Sequence, residues 1–572
     1  MSEPIISTNP ARCRDCYRCV RSCDVKAIRV KDHQAQIVPE LCILCGTCVR
    51  VCPQKAKSIR SDRQPIIEAK EAGKRIVASV APSAPAFFSM PSFQALAEAI
   101  QALGFEAVEE TAVGARMVGL AHGEYVTQAA ERQPIIASAC PVVVNLVERY
   151  YPDLIPHLAP IVSPMIAHGR LLKRKYGEDA FIVFIGPCIA KKLEMEDEAV
   201  AGAIQAVMTF RGLKEWFDHQ GIQCLAEPLP PLEPPSDKAR LFALEGGLIG
   251  TARMNTDILG AEMIMTSGLE ACQDILKDIR TGELKAGLVE LLACRGGCVN
   301  GPAMADMAGG IFLARQRVME FGARHAPDLS LAREDWPDLE RGFQDRHAII
   351  PEFSDVQIRE VLQRVNKYTQ EDELNCGACG YPTCREKAVA TLRGLAEVTM
   401  CIPYMRQRSE SLRQVVMDAT PNAILIFNRD LIIQDLSPSA EKIFHCSLSE
   451  VQGRPLANLI PILDDYVQVR ETGEPLIGKT RRLREDLVVE QTIVRVEGQG
   501  LLIAILKDVT ERENERERFN QLRTETLERT REVVSKQMRV AHEIAHLLGE
   551  TTAESKTIFS HLARLLEEED HS

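Results

Sequence analysis

The stretch ELLACRGGCVNGP places Cys294 and Cys298 four residues apart, with Arg295, Gly296 and Gly297 between them. Two thiolates this close can hold a soft metal centre, and glycines without a Cβ let the backbone approach something bulky. Two more cysteines follow short apolar runs: Cys140 ends QPIIASAC and Cys188 ends FIVFIGPC. The N-terminal runs CRDCYRCVRSC and CILCGTCVRVCP are denser. They give Cys13, Cys16, Cys19 and Cys23, then Cys42, Cys45, Cys48 and Cys52, each in a C-x2-C-x2-C-x3-C pattern. Pro53 completes the second run, while Asp24 stands where the first would carry proline. A loop with three such cysteines wraps one face of an iron–sulfur cubane, and the fourth cysteine ligates the other cluster. The spacing therefore predicts one [4Fe–4S] cluster on Cys13, Cys16, Cys19 and Cys52, and a second on Cys23, Cys42, Cys45 and Cys48. A pair of zinc sites is the competing reading, but zinc favours separated C-x2-C pairs over runs of four.

Composition narrows the context. The chain has 572 residues, which implies three to five domains, and a formal charge of −12, which disfavours nucleic acid as a partner. No run approaches about 18 consecutive apolar residues, so no membrane span is expected. The start MSEPIISTNPARC lacks a basic then apolar leader, so a cytoplasmic protein is expected. Nineteen cysteines in a reducing compartment, odd in number and clustered, read as metal ligands rather than disulfides.

The elements that must position these cysteines follow from periodicity. RIVASVAPS and FIVFIGPC are short apolar runs ending in turn residues, and PSFQALAEAIQALGF repeats at helical spacing. Such alternation predicts α/β layers, whose sites form at the carboxyl ends of strands. Cys140 and Cys188 stand just past such runs. With Cys294 and Cys298 they supply four thiolates, enough for a further cubane.

The three islands SACPVV, GPCIAKKLE and ACRGGC resemble the signature motifs of the [FeFe]-hydrogenase large subunit. In that family four cysteines hold the H-cluster, a cubane joined to a two-iron unit carrying CO, cyanide and a dithiolate bridge. The resemblance, over roughly residues 1–320, implies that Cys140, Cys188, Cys294 and Cys298 hold that cluster, with Cys298 bridging its two parts. It implies cyanide-facing roles for Lys191 and for Ser83 of the Ala81-Pro82-Ser83 segment, and a motif glutamate at Glu194. It would explain Gly296 and Gly297 as room for a buried inorganic cluster. The departures are informative. Catalytic members carry a proton-donating cysteine at the position of Ala139; Gly186 and Leu292 replace methionines, and Arg295 replaces a proline. Glu124 is the candidate carboxylate farther along a proton path. Slow H2 turnover is expected.

Downstream, NCGACGYPTC gives Cys376, Cys379 and Cys384, and Cys401 follows after an expected helix over 385–400. This set resembles the small four-cysteine iron–sulfur domain of corrinoid iron–sulfur proteins and implies one more [4Fe–4S] cluster, with zinc as the alternative. Cys224, Cys272 and Cys446 stay unassigned, and the Pro-rich EPLPPLEPPSD reads as a loop. NAILIFNRDLIIQDLSPSAEKIF and DLVVEQTIVRVEGQGLLIAILKDVTERE read as paired strands with a helix and resemble a PAS domain. His445 beside Cys446 could ligand a haem, although an ordinary PAS residue is the better reading. From 511 the chain is charged and proline-free. Leu527, Val534, Met538, Ala541, Ala545 and Leu548 recur at three-, four- and seven-residue steps, as a helix with a partner requires.

The expected architecture is a multidomain mix of α/β and α+β. It comprises a two-cluster ferredoxin module (1–62), an α/β H-cluster domain (70–350), a four-cysteine iron–sulfur domain (355–411), a PAS domain (412–510) and a helical tail (511–572). The expected function is sensing of H2 or redox state at an H-cluster, with three accessory [4Fe–4S] clusters. Expected partners are H2 and protons, a ferredoxin-type electron donor or acceptor, maturation proteins and a signalling partner of the tail. A homodimer is expected, and neither nucleic acid nor membrane. The alternatives are a low-activity hydrogenase and an iron–sulfur relay or scaffold without the two-iron unit.

Overall fold

The computed structural model describes residues 3–88, 90, 92–128, 134–223, 238–257, 262–304, 307, 309–324, 331–349, 351–496, 500–548 and 558–564. Cys224 and the Pro-rich 227–237 segment lie outside the described residues. The chain divides into two compact units, Met1–Met405 and Arg406–Ser572.

In the first unit, the N-terminal segment pairs Ile6–Thr8 with Lys57–Ile59 and Ile28–Lys31 with Gln34–Ile37, both antiparallel. Two one-turn helices, Arg18–Arg21 and Thr47–Arg50, follow the two cysteine loops. Beyond it stand two separate parallel sheets. One has the order Ala107–Glu110, Ile76–Val80, Phe181–Gly186, Ala206–Thr209. The other has the order Met263–Ser267, Leu288–Leu292, Ile135–Ile136. Ile76–Val80 and Leu288–Leu292 are buried at every residue, as expected of strands covered on both faces. The predicted helix is Phe93–Gln101, capped by the Ser92 hydroxyl, which accepts from the Ala95 amide.

The helix expected over 385–400 is shorter. It runs Cys384–Leu392, and Gly394 follows at φ +69°, a left-handed turn that ends it. A 3-10 turn, Val398–Met400, then delivers Cys401. A single helix, Ile402–Ala419, runs across position 411/412.

The second unit holds a five-stranded antiparallel sheet, ordered Ile433–Leu436, Ala423–Asn428, Leu501–Asp508, Leu487–Val496, Leu476–Arg484. Four of these strands follow the expected apolar runs. The fifth, LIGKTRRLR, was not legible as a strand because it is an exposed edge rich in Lys and Arg, a composition that protects sheet edges from further pairing. His445 is exposed and forms the left-handed cap of helix Pro438–Phe444. The tail is one helix, Thr510–Leu548. None of the described helices is long and apolar enough to cross a membrane.

Candidate functional site: a four-cysteine cavity and its neighbours

The carboxyl ends of the two parallel sheets converge on one cavity. Cys140 follows Ile135–Ile136, Cys294 follows the adjacent Leu288–Leu292, and Cys188 follows Phe181–Gly186 of the other sheet. All three, with Cys298, line a space of about 820 Å³ together with Ser83, Ala139 and Lys191. Thus the four cysteines come from loops at the ends of three strands and meet only because the strands are parallel.

The polar groups around this space are few. The Ser83 hydroxyl is fully buried and has no hydrogen-bond partner. Such an orphan is costly unless a ligand satisfies it. Lys191 is also buried. Its Nζ donates to Glu194 Oε2 at 2.7 Å, and Glu194 Oε1 accepts from Arg341 at 3.0 Å. A buried lysine is tolerated only when paired. Burial and mutual repulsion push the Cys188 thiol up to about 11 and the Cys298 thiol up to about 12, and lift Cys294 well above its ordinary value. Thiols in such a place ionise when a metal centre takes them as ligands. The donor set, the orphan hydroxyl and the buried ammonium fit an anionic, thiolate-ligated metal cluster with polar ligands.

Gly296 and Gly297 are required by the protein's own backbone, and Gly297 also lines the cavity. Both have positive φ, +78° and +97°, and a Cβ on Gly297 would lie 2.3 Å from the Ala243 carbonyl oxygen. That close approach lets the Cys298 amide donate to the same oxygen at 2.7 Å. Glu124, the candidate farther along a proton path, is exposed, pairs with Arg333 at 2.9 Å and does not line the cavity.

The other cysteine sets gather as well. Cys13, Cys16, Cys19 and Cys52 line a space of about 400 Å³, and Cys376, Cys379, Cys384 and Cys401 line one of about 470 Å³. Cys23 is raised to about 12, by burial first and then by Cys45 and Cys42; Cys48 is raised well above its ordinary value, again by burial first, then by Cys45 and Cys42 and, less, by Cys23. The crossed pairing expected from the spacing thus coincides with spatial neighbours. Cys272 is wholly buried, with its Sγ 3.6 Å from the Leu292 carbonyl, and lines none of these spaces.

The groups also stand in order. At one end, Arg21 donates to the Ala378 carbonyl at 2.9 Å and Lys26 to the Gly380 carbonyl at 2.9 Å, joining the first cysteine helix to the Cys376–Cys384 loop. At the other end, Arg50 donates to the Asn300 carbonyl at 3.0 Å, and Gly46 abuts Pro302 so closely that a Cβ would clash at 2.4 Å. Tyr150 adds a bond to the Leu41 carbonyl at 2.6 Å. The second N-terminal cysteine loop is therefore seated against the cavity that holds Cys298.

Residues 74–302 match the family described as iron only hydrogenase large subunit, C-terminal domain. The chain carries an iron-only hydrogenase large-subunit domain. A 4Fe-4S dicluster domain precedes it over 12–56, a putative Fe-S cluster domain follows over 372–403, and a PAS fold covers 411–509. Iron hydrogenase 1 of Clostridium pasteurianum is 25% identical over 252 residues, covering 36% of this chain and 44% of the relative. The periplasmic [Fe] hydrogenase large subunit of Nitratidesulfovibrio vulgaris is 26% identical over 262 residues, covering 37% of this chain and 62% of the relative. Similarity extends to the cytosolic Fe-S cluster assembly factor NAR1 of Yarrowia lipolytica, 33% identical over 102 residues, which are 17% of this chain and 21% of that protein. The chain thus spans about half the length of the curated hydrogenases it matches. The chain thus combines hydrogenase-like iron–sulfur domains with a PAS domain.

Proposed function

We propose that this is a sensory [FeFe]-hydrogenase-like protein of five parts: 1–62, 70–350, 355–411, 412–510 and 511–572. It reads H2, or the redox state that H2 sets, in the cavity of Cys140, Cys188, Cys294 and Cys298, and reports through the PAS domain and tail to a partner. The observation that carries the reading is the cavity itself. Its lining adds to the four thiols the polar groups of Ser83 and Lys191 and, among the described residues, no carboxylate. The unpartnered Ser83 hydroxyl and the buried Lys191 ammonium suit a cubane joined to a second inorganic unit that carries polar ligands. A bound H-cluster would supply reversible H2 splitting. Around it Lys191 and Ser83 would donate hydrogen bonds, Cys298 would lie nearest the two-iron unit, and Ala139 offers no titratable group. Three accessory [4Fe–4S] clusters, on the sets given above, would pass electrons from the Cys376–Cys401 module through the N-terminal module to the cavity. A cytoplasmic location and exchange with a ferredoxin-type carrier belong to the same proposal.

The assembly-factor similarity favours a second reading, a scaffold or relay that never receives the two-iron unit. Infrared spectroscopy of anaerobically matured protein separates the two. CO and cyanide bands, lost in Cys298→Ser while the accessory clusters remain, support the sensor; no bands under competent maturation supports the scaffold.

A further inference from the structure

Ala139 gives the cavity no proton donor at that position, and Glu124 is not in its lining. A different chain of groups reaches the same wall. Thr111 lines the cavity. Its hydroxyl is 2.7 Å from the Ser79 hydroxyl, which is 2.8 Å from His168 Nδ1. On the far side of the ring, His168 Nε2 is 3.7 Å from Glu109 Oε2 and has no closer partner. Glu109 Oε1 accepts from Lys175 at 2.7 Å and from Tyr176 at 2.6 Å. Thr111, Ser79 and His168 are buried, whereas the Lys175 side chain is 57% exposed. Three hydroxyl or imidazole groups in hydrogen-bond contact, inside an otherwise apolar core, are an expensive arrangement for packing alone.

We propose that Glu109, His168, Ser79 and Thr111 form a proton relay between solvent and the four-cysteine cavity, in place of a donor at position 139. The inference rests on the sensory reading above. Sheet register builds the relay: Ser79 pairs with Glu109 on the neighbouring strand, and Thr111 follows one residue after that strand ends. Helix Pro164–Tyr176 lays His168 across both strands and brings Lys175 and Tyr176 to the outer end.

The transfer balances without an electron or a co-reactant. A proton from solvent, guided by the Glu109 carboxylate, binds His168 Nε2. The ring releases its Nδ1 proton to the Ser79 oxygen, Ser79 releases its own to Thr111, and Thr111 releases its hydroxyl proton into the cavity. Each oxygen regains what it gave, so one proton moves inward. The imidazole is left as the Nε2–H tautomer, and the reverse steps restore it. The relay therefore carries a proton in and the same proton out, while repeated inward transfer needs the ring to turn inside a tightly packed helix interface. That suits reversible sensing more than continuous turnover.

The test uses full-length matured protein and follows the diatomic infrared bands after a jump in H2 pressure. A positioned acid–base group contributes about 10²–10⁴ in rate. His168→Ala should slow relaxation of the bands at least about 10²-fold without moving their final positions. Imidazole should restore the rate, while 1-methylimidazole, of similar shape but with one nitrogen blocked, should not. Ser79→Ala tests the inner half by the same readout and guards against a misfolded His168 variant. Native relaxation rates in both variants, or equal rescue by the two imidazoles, overturn the relay while leaving the sensory reading intact. Absence of diatomic bands in the native protein overturns the sensory reading and the relay with it.

Discussion

Lys191 Nζ lies 2.7 Å from Glu194 Oε2, three residues on, and both side chains are buried beside the cavity of Cys298. Arg341 holds the other Glu194 oxygen at 3.0 Å and Asp197 at 2.9 Å. The ammonium is thus fixed from behind by a carboxylate that is itself clamped. Its remaining protons are free to serve a ligand in the cavity.

Lys191→Ala should leave iron in the accessory sites and weaken retention of the two-iron unit. A hydrogen bond to a charged group is worth about 1.5–3 kcal/mol, or roughly 10–100-fold in affinity. Lys191→Arg should retain part of the effect. Iron content and infrared intensity after gel filtration are the measurements; unchanged band intensity in the alanine variant would remove Lys191 from the site.

Ala139→Cys places a thiol on the cavity wall, where Ala139 is half-buried. H2 evolution should rise, by less than the roughly 10²-fold that a complete acid–base path supplies, because none of the described carboxylates lines the cavity with it. Cluster content should not change. A native protein already evolving H2 as fast as the variant would show that position 139 does not limit the rate.

In the second unit, hydrogen bonds from Arg481 and Lys479 hold the Asp465 carboxyl down at about 2, against burial that pushes it up. The distances are 2.9 Å to Arg481 Nε, 2.6 Å to Lys479 Nζ and 2.6 Å to Gln491 Nε2. These contacts pin the edge strand Leu476–Arg484. A carboxyl lowered from an unfolded value near ~4 adds stability that is complete above that pH and disappears as pH falls through 2, worth about 2 kcal/mol. Asp465→Asn should remove it at neutral pH. Hydrogen exchange of the edge strand should rise in the variant at pH 7, and the native protein should come to match the variant only in acid.

Along the tail helix, Phe519, Leu522, Val533, Val540 and Ile544 are all at least 50% exposed. An apolar seam on a lone helix is marginal in water and calls for a second helix. The full chain should sediment as a dimer, and Val540→Asp should shift it to monomer. A strictly monomeric native chain would assign the seam to a different protein. Thr510 ties the start of this helix to the sheet by accepting from the Val488 amide at 2.9 Å.

What could be read from the chain itself was local. A C-x2-C-x2-C loop encloses a cubane because three residues span a fixed distance, so the N-terminal cysteine sets were legible within a dozen residues. The buried strands were legible because parallel strands covered on both faces are continuously apolar. The edge strand Leu476–Arg484 was hidden by its charge, and the end of the helix after Leu392 depended on one left-handed glycine. Tertiary structure alone decided the rest. Gly297 is glycine because Ala243, over 50 residues earlier, presses on it. Ser79, Thr111 and His168 meet because strand register and a helix crossing join positions 32 and 89 residues apart. Local sequence fixes what a loop can ligate, since bond geometry limits its reach. Which loops share a cavity, and which hydroxyls line a path to it, depends on contacts between elements distant in the chain, and only packing sets those.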